Sequence, residues 1–467
     1  EFEIQWVRNE IMEELDLIHP TDYRYKVKDL EDYLSPASLL RYQLRVEIAF
    51  IAALARLDVC SEAVLKEYVS AESAVTHERV SQLESELKHD VRAMVEALKE
   101  QVSPEARPYC HLGLTSSDTN VNAVVLLIRE VTNDLLQPAL RELLTLLIHI
   151  ARQHRDQVQM GRTHGQHAEP TTFGYVIANY IERIGRGIVR IKQAQTELRG
   201  KIGGAVGTRA GLNLIADPHK LEAETLAELG LSGVDAPSQI ANQEELCNFY
   251  SQLVLVLGTV ADMANDFRQL QRTEIAEIFE GTEEAQVGSS TMPQKRNPIG
   301  WENIVSHYKL TVPRLVTSYM NLISEHQRDL TDSAANRYLL AEILNTFLYT
   351  ISRATFLLEN MRVDGERMRE NIALNRSFEI AEPAYILLAL SGVEDAHHVI
   401  RNIVQEAREK DLSFKEMLDS NESLIRSLDS ISAVKKSVIE DSCTYIGRAS
   451  EITESVCCAW ENYLREE

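Results

Sequence analysis

The chain has 467 residues, of which 44% are hydrophobic and 25% are charged; this is the balance of an ordinary globular protein and excludes a fibrous or wholly disordered chain. Its 71 acidic and 48 basic residues leave a formal net charge of −23. A surface this acidic repels phosphate groups, which excludes a protein that binds nucleic acids or anionic membranes.

Helical periodicity dominates the chain, and the alternation typical of strands is nearly absent. Apolar residues recur at i, i+3, i+4 and i+7 in several long stretches. In chain order, the predicted long helices are 121–152 with a kink at Pro138, 173–201, 244–279, 301–323 and 338–361. Three polar segments with Gly or Pro interrupt them, at 108–122, 160–172 and 281–300. The pattern predicts an all-α fold built on a bundle of long helices.

The distribution of helix lengths predicts three helical domains. An N-terminal domain would cover 1–111, a central long-helix domain 112–362 with the loop 281–300, and a C-terminal domain 363–467. At 1.5 Å per residue, the stretch 244–279 would span about 54 Å. The long helices are apolar over much of their circumference, which indicates that they also bury surface against other subunits.

The cysteines and the hydropathy indicate a cytoplasmic protein. The six cysteines are scattered and form no CxxC pair, a pattern typical of free thiols in a reducing compartment rather than of disulfides or a zinc site. The longest uncharged stretch, 246–261, is shorter than the ~20 residues that a membrane span requires. We therefore predict no membrane-spanning segment.

The segment 288–298, GSSTMPQKRNP, is the most informative for chemistry. A polar loop of this kind often does no more than cap the next helix. However, Lys295 and Asn297 supply hydrogen-bond donors suited to a carboxylate. A nearby cation and backbone N–H groups also favour a serine alkoxide. Ser289 and Ser290 are both candidates for that serine.

This segment resembles the signature GSSxMPxKxNP of the fumarase/aspartase superfamily, whose members eliminate fumarate from a substituted succinate. Residues 161–174 (GRTHGQHAEPTTFG) and 114–118 (LTSSD) resemble the adenylosuccinate lyase family within it. The triplet 88–90 (KHD), the pair 24–25 and the segment 328–337 also fit. The resemblance spans essentially the whole chain.

The resemblance implies a β-elimination that converts adenylosuccinate to AMP and fumarate. It also implies the same reaction on succinylaminoimidazole carboxamide ribotide, giving AICAR, in purine nucleotide biosynthesis. It further implies no cofactor, a small purine nucleotide as substrate, and a homotetramer whose sites are shared between subunits. Such an elimination requires a base and an acid held apart, together with cationic stabilisation of the developing negative charge.

The resemblance also implies roles for individual residues. Ser289 would be the general base and His164 the general acid, with Lys295 and His89 as further catalytic residues. The residues that would bind the substrate are Thr115, Ser116, Lys295 and Asn297 for the succinyl carboxylates, Gln239 for the succinyl-purine region, and Arg24, Tyr25, Arg328, Ser333 and Arg337 for the phosphate, with Lys88 and Asp90 flanking His89 near it.

Several of these residues have plainer interpretations. His164 and His167 have the spacing of a metal pair, but no third ligand lies nearby in sequence, so we predict no metal. Arg328 and Arg337 are also candidates for ordinary ion pairs in so acidic a chain.

The sequence departs from the family pattern at two places. The family's TSSDxxDT has Val121 and Asn122 at its last two positions here, so no role is given to an acid there. The stretch after Gln239 lacks the usual arginines, which leaves Gln243 as an alternative to Gln239.

Two other functions stay open. A carboxymuconate cycloisomerase shares the signature loop but has no use for a phosphate-binding set of arginines. A catalytically silent helical scaffold is the other alternative. Against the scaffold, the chain retains Ser289, Lys295, Asn297 and His164 together.

Overall fold

The computed structural model describes residues 18–281, 292 and 294–466, and within them helices dominate, which confirms the predicted all-α class. The α-helices are α1 (Glu31–Leu34), α2 (Pro36–Arg56), α3 (Glu62–Ala71), α4 (His77–Leu87), α5 (Asp90–Glu100), α6 (Ser116–Val131), α7 (Gln137–Gln153), α8 (Phe173–Glu197), α9 (Pro218–Glu228), α10 (Glu244–Leu270), α11 (Ile299–Met320), α12 (Ser333–Glu359), α13 (Gly365–Ala373), α14 (Ala381–Leu390), α15 (Ala396–Glu409), α16 (Phe414–Asp419), α17 (Glu422–Asp429), α18 (Ala433–Glu440) and α19 (Ala449–Glu466).

Short strands accompany the helices. The antiparallel pair β1 (Val158–Thr163) and β2 (Gln166–Thr172) forms a hairpin, and β3 (Ile278–Phe279) pairs antiparallel with β4 (Arg362–Val363). The hairpin occupies the segment 160–172, which the sequence marks as an interruption between helices and not as strands.

The chain divides into two compact units. The first comprises the residues up to Leu140 together with Gly187–Gly258 and Ser306–Ser352, and the second comprises Arg141–Arg186, Thr259–Val305 and the residues from Arg353 onward. Each of the five boundaries falls inside a helix, in α7, α8, α10, α11 or α12. The three-domain division at 112 and 362 stays a prediction.

The core of the first unit is built on α2. Ser35 caps this helix by accepting the N–H of Ser38, and Pro36 follows at the first helical position, where its missing N–H costs nothing. Its apolar face is buried, with Phe50 and Ile51 fully inaccessible. This face packs against α6 and α9. Burial of such large side chains stabilises the unit by roughly 1.5–3 kcal/mol each.

The second unit contains an apolar cluster contributed by the C-terminal helices. Its buried side chains come from Ile380 and from α14 to α18, and among them Phe414 and Leu388 have no exposed surface. Elsewhere in this unit, Trp460 of α19 lies so close to Gly185 of α8 that a Cβ there would be 2.5 Å from the indole ring. Any larger residue at Gly185 would therefore clash with the Trp460 indole ring.

The predicted helix 121–152 exists as α6 and α7 with a π-helical turn, Thr132–Leu136, between them. The irregularity therefore precedes Pro138, where the sequence predicts a kink. Proline supplies no N–H and its ring crowds the preceding turn, which favours a wider turn just before it. The hydroxyl of Thr132 donates to the carbonyl of Ile128 at 2.6 Å, so this carbonyl has a side-chain hydrogen bond next to the π-helical turn.

The predicted helix 244–279 begins at the predicted residue, but its predicted C-terminal end is wrong, because α10 ends at Leu270. The helix is thus about 40 Å long rather than 54 Å. By length and composition it is long and apolar enough to cross a membrane, but 61% of its most apolar window is buried inside the protein. Such burial is typical of a helix in a protein core.

Candidate active site

His164 lies at the tip of the β1–β2 hairpin in the second unit. Thr163 pairs with Gln166, so His164 and Gly165 form a two-residue turn, with φ angles of 55° and 74°. Hairpin turns with two left-handed residues match the twist of the flanking strands. The imidazole is exposed at the tip, and the hairpin determines its position.

Buried Glu277 anchors that hairpin. Its carboxylate is fully inaccessible and accepts hydrogen bonds from Gln159 at 2.7 Å and from both terminal nitrogens of Arg162 at 2.7 and 3.1 Å. Asn371 of α13 donates to the same group at 2.7 Å. Four donors therefore satisfy one buried charge, and two of the three side chains that supply them belong to β1.

We expect Glu277→Ala to lower the free energy of unfolding by about 3–5 kcal/mol, because it leaves Arg162 as an unpaired, nearly buried charge. The matched control is Glu274→Ala, three residues earlier, where the carboxylate is 61% exposed and pairs with Arg272. An exposed pair contributes about 0–1 kcal/mol. Urea unfolding of both variants measures the difference, and equal losses would show that Glu277 does not anchor the hairpin.

Glu280, three residues after Glu277, holds the end of the signature segment. Its carboxylate accepts the N–H groups of Gly300 at 2.9 Å and Trp301 at 3.2 Å, at the start of α11. Burial raises the pKa of Glu280, and these two donors oppose the shift. Gln271 accepts the N–H of Glu280 at 2.8 Å and donates to the carbonyl of Arg296 at 3.4 Å.

The signature residues are only partly within the described chain. Ser289 and its alternative Ser290 lie outside the described residues. Lys295 is exposed and Asn297 is half-buried. They lie four and two residues before Ile299, where α11 begins. The residues 277–280 thus anchor both the hairpin that carries His164 and the segment that carries Lys295 and Asn297.

Two further titratable groups lie on the same hairpin. Glu169 hydrogen-bonds with the carboxyl of Glu382, and this contact, followed by burial, raises the pKa of Glu169 to about 7. Tyr445 donates its hydroxyl to Glu382 at 2.8 Å. Burial, followed by the charge of Arg162, lowers the pKa of His167. His167 is half-buried, whereas His164 at the tip is exposed.

Thr115 and Ser116 lie at the N-terminus of α6, in the first unit. Thr115 is the N-cap residue and Ser116 the first residue of the helix. The N–H of Thr115 donates to Asp118 at 2.9 Å. A helix N-terminus presents unpaired N–H groups and partial positive charge, which suits a carboxylate.

The structure adds two buried groups near this helix start that sequence reasoning missed. Lys201 and Asp118 form an ion pair of 2.7 Å in which both side chains are fully inaccessible. His111, in a left-handed conformation, contacts buried Glu47 at 2.8 Å, and Glu47 also accepts the hydroxyl of Thr119 at 2.7 Å. The available sequence signal was the charge of Lys201 in the glycine-rich stretch 200–211, where Arg209 is the other charged residue.

Gln239 lies near the same glycine-rich stretch. Its side chain donates to the carbonyl of Ala205 at 2.9 Å, and its backbone N–H donates to the carbonyl of Gln327 at 3.2 Å. The side-chain amide of Gln243, the alternative, donates to the carbonyl of Ala241, two residues earlier, at 3.5 Å. Gln239 therefore connects the glycine-rich stretch to the residue before Arg328.

Helix α12 contacts the segment that carries the phosphate candidates Arg24 and Tyr25. Asn345 on this helix donates to the carbonyl of Tyr25 at 2.9 Å and accepts the N–H of Val27 at 3.0 Å. The Tyr25 ring packs edge-on against His307, with ring centroids 4.7 Å apart, and Arg24 lies over the Tyr25 ring at 5.9 Å. Burial lowers the pKa of His307.

The KHD triplet reaches the same helix through Asp90. Arg337 of α12 pairs with Asp90 at 3.4 Å and is 76% exposed, so this pair contributes little to stability and the guanidinium is accessible to an anion. His89 caps α5, because its Nδ1 accepts the N–H of Arg92 at 3.3 Å. Lys88 precedes it in a left-handed conformation, with φ of 54°.

Arg328 lies five residues before α12, and Ser333 lies at its beginning. Arg328 pairs with Asp332 at 2.8 Å, and its side chain is 16% exposed, which agrees with the ion-pair interpretation of this arginine. Ser333 is the first residue of the helix. Among the described residues, no group of three or more His, Cys, Asp or Glu side chains is close enough together to hold a metal ion.

Comparison with known protein families assigns most of the chain. The model of the family described as "Lyase" matches residues 21–309, and that described as "Adenylosuccinate lyase C-terminal" matches residues 324–436. The adenylosuccinate lyase of Pyrococcus abyssi is 34% identical over 461 residues, covering 96% of this chain and 98% of that protein. The chain belongs to the adenylosuccinate lyase family.

Other members of the adenylosuccinate lyase family are similarly related. The protein of that name from Archaeoglobus fulgidus is 32% identical, with 96% of this chain and 99% of that protein covered. Among solved structures, the 3-carboxy-cis,cis-muconate lactonizing enzyme of Pseudomonas putida superposes with a TM-score of 0.83 at 25% identity, covering 95% of this chain and 99% of that one. The fumarate lyase of Mesorhizobium sp. BNC1, at 23% identity and a TM-score of 0.82 over 93% and 98% of the two chains, shares the fold.

Proposed function

We propose that this chain is an adenylosuccinate lyase. It would cleave adenylosuccinate to AMP and fumarate, and succinylaminoimidazole carboxamide ribotide to AICAR and fumarate. The observation that carries the proposal is the 31–34% identity to proteins of that name over 85% or more of the chain. A cytoplasmic location follows from this role in nucleotide biosynthesis.

In the proposed reaction, the alkoxide of Ser289 removes a proton from the succinyl carbon that carries a carboxylate and neighbours the carbon bonded to the leaving nitrogen. The C–N bond then breaks, and His164 protonates the departing nitrogen, so that fumarate and the amine are released. The exposed position of His164 at the hairpin tip supports its role as the acid. Lys295 and Asn297 stabilise the negative charge that develops on the succinyl carboxylate.

The proposed substrate contacts in the first unit begin at α6. Thr115 and Ser116, at the N-terminus of that helix, would hydrogen-bond a succinyl carboxylate, and Gln239 would contact the succinyl-purine region. The exposed guanidinium of Arg337, next to Asp90 and the KHD triplet, supports phosphate binding at α12. Arg24, Tyr25, Arg328 and Ser333 complete that phosphate site.

The direct test is the absorbance change when the purified chain is mixed with adenylosuccinate. Turnover of adenylosuccinate with no turnover of 3-carboxy-cis,cis-muconate supports the proposal. The reverse result would identify the second candidate, a carboxymuconate cycloisomerase, which the TM-score of 0.83 to the Pseudomonas putida enzyme favours. No turnover of either compound would leave the silent scaffold.

Replacement of the phosphate-binding arginines should raise KM. We expect Arg337→Ala and Arg24→Ala to raise KM for adenylosuccinate about tenfold or more, because a charge-assisted hydrogen bond to phosphate contributes about 1.5–3 kcal/mol. Arg426→Ala is the matched control, since Arg426 is 77% exposed and pairs with Glu422. Steady-state kinetics of the three variants tests the assignment; equal small effects would remove it.

We also propose that the chain forms a homotetramer with sites shared between subunits. One face of α11 carries an exposed apolar stripe that continues past the helix end, with spacings i, i+4, i+7, i+8 and i+11: Val312, Val316, Tyr319, Met320 and Ile323, between 36% and 79% exposed. Monomers rarely leave so much contiguous apolar surface in water. A second copy of this chain is the proposed partner, in a closed symmetric assembly.

A further inference from the structure

We propose that the buried ion pair of Lys201 and Asp118 positions the residues that bind the succinyl group. The pair would fix Thr115 and Ser116 relative to Gln239, and its two members would themselves touch no substrate. This inference rests on the proposed function, from which it takes the assignment of those three residues to the succinyl-purine end.

The burial of the pair is complete. Both side chains have no accessible surface, and Nζ of Lys201 lies 2.7 Å from Oδ1 of Asp118. Burial lowers the pKa of Lys201, and the Asp118 carboxylate opposes the shift. Two charges withdrawn from water are maintained only where further hydrogen bonds satisfy both of them, so the pair requires an exact set of neighbours.

The neighbours of Asp118 include the start of α6. The carboxylate accepts the N–H of Thr115 at 2.9 Å, of Gly203 at 2.8 Å and of Gly204 at 3.1 Å. One carboxylate therefore joins the first turn of α6 to a turn of the glycine-rich stretch. Thr115 and Ser116 occupy that first turn.

The neighbours of Lys201 extend to the second binding segment. Its ammonium also donates to the carbonyl oxygen of Gln239. The side chain of Asn122, fully buried in α6, makes two hydrogen bonds to the backbone of Lys201. Its amide nitrogen donates to the carbonyl of Lys201 at 2.7 Å, and its amide oxygen accepts the N–H of Lys201 at 3.0 Å. Lys201 therefore cannot shift relative to α6 without breaking these hydrogen bonds. Because Gln239 is hydrogen-bonded to Lys201, its position relative to α6 also depends on them.

This network has a specific consequence for ligands. Groups that hold the succinyl part would move out of register if the pair were lost, and displacements of about 1 Å cost large factors in a site of this kind. The AMP phosphate would keep its main contacts, because Arg337 lies on α12 and Tyr25 is hydrogen-bonded to Asn345 of the same helix. Loss of the pair should therefore weaken the binding of adenylosuccinate much more than the binding of AMP.

The test uses the double variant Lys201→Met/Asp118→Asn, which removes both charges and avoids leaving one buried and unpaired. We expect KM for adenylosuccinate to rise at least tenfold, while the inhibition constant of AMP stays within twofold of the wild type. A purely structural contribution would lower the melting temperature and leave the ratio of these two constants unchanged. That outcome would overturn the proposal.

The matched control is Arg209→Met/Glu222→Gln. This ion pair is similarly buried, with side chains 11% and 9% exposed, and it joins the same glycine-rich stretch to α9 instead of α6. We expect it to lower stability without changing the ratio of the two constants. An equal rise in KM in the control would overturn the specific role of Lys201 and Asp118.

Should the double variant not fold, Asp118→Asn alone is the second variant, because the amide oxygen still accepts a hydrogen bond and Lys201 is free to lose its proton. We expect at least a threefold rise in KM with the AMP constant unchanged, and a wild-type KM would overturn the proposal. Turnover by the wild type distinguishes the two failures. An inactive wild type overturns the proposed function and this inference together, whereas an active wild type with wild-type kinetics in the variants overturns this inference alone.

Discussion

We expect the Ser289→Ala variant to fold normally and its kcat to fall by a factor of about 10²–10⁴ or more, the effect expected when a general base is removed. The oxygen that takes the substrate proton is lost, while the packing of the long helices is untouched. Steady-state turnover of adenylosuccinate measures the loss, and circular dichroism checks that the helical content is retained.

Ser290→Ala is the control one residue along. Both serines belong to the same signature segment, and their order in the family pattern is the reason for choosing the first. A Ser290→Ala variant that retains most of the wild-type activity supports the assignment. An inactive Ser290→Ala beside an active Ser289→Ala would transfer the role of base to Ser290.

Mixtures of inactive variants should regain activity if each site takes residues from different subunits. His164→Leu and Ser289→Ala are each expected to be inactive alone. After joint unfolding and refolding at equal amounts, an intact His164 and an intact Ser289 meet in about a quarter of the sites of a symmetric oligomer. Turnover near a quarter of the wild type is therefore the expected result.

A second mixture makes this test decisive. Wild type co-refolded with the double variant His164→Leu/Ser289→Ala should also recover about a quarter of the activity if sites are shared. If both residues come from one chain, this mixture recovers about half and the mixture of single variants recovers none. Size-exclusion chromatography verifies that mixed oligomers have formed, and the half-and-none result would contradict shared sites.

The long helices were predictable because their apolar periodicity is a local property. The ends of α8, α11 and α12 lie within a few residues of the predicted bounds. The end of α10 was not predictable in this way, since residues 271–277 contain neither Gly nor Pro. Ala276 there adopts a left-handed φ of 54°, and Glu277 turns toward Arg162 and Gln159. Those tertiary hydrogen bonds override the local helical preference.

The candidate site shows the same division between local and distant information. The family motifs identify His164, Lys295 and Asn297 as residues of interest, but no motif predicts the hairpin, because a His-Gly turn is a weak signal compared with Asn-Gly. The pairing of Lys201 with Asp118 joins residues 83 positions apart. Periodicity describes one element at a time and therefore contains no information about such pairs.

The placement of Glu277 and Glu280 three residues apart has a consequence for how this chain tolerates change. One short stretch anchors both the hairpin of His164 and the segment of Lys295, so substitutions on either side of it are energetically coupled. In a double-mutant cycle, changes at Arg162 and at Gly300 should be non-additive, although they belong to separate motifs. Evolution of a new specificity would then require paired, compensating substitutions. The coupling between them would arise from residues 277–280, which contact both motifs.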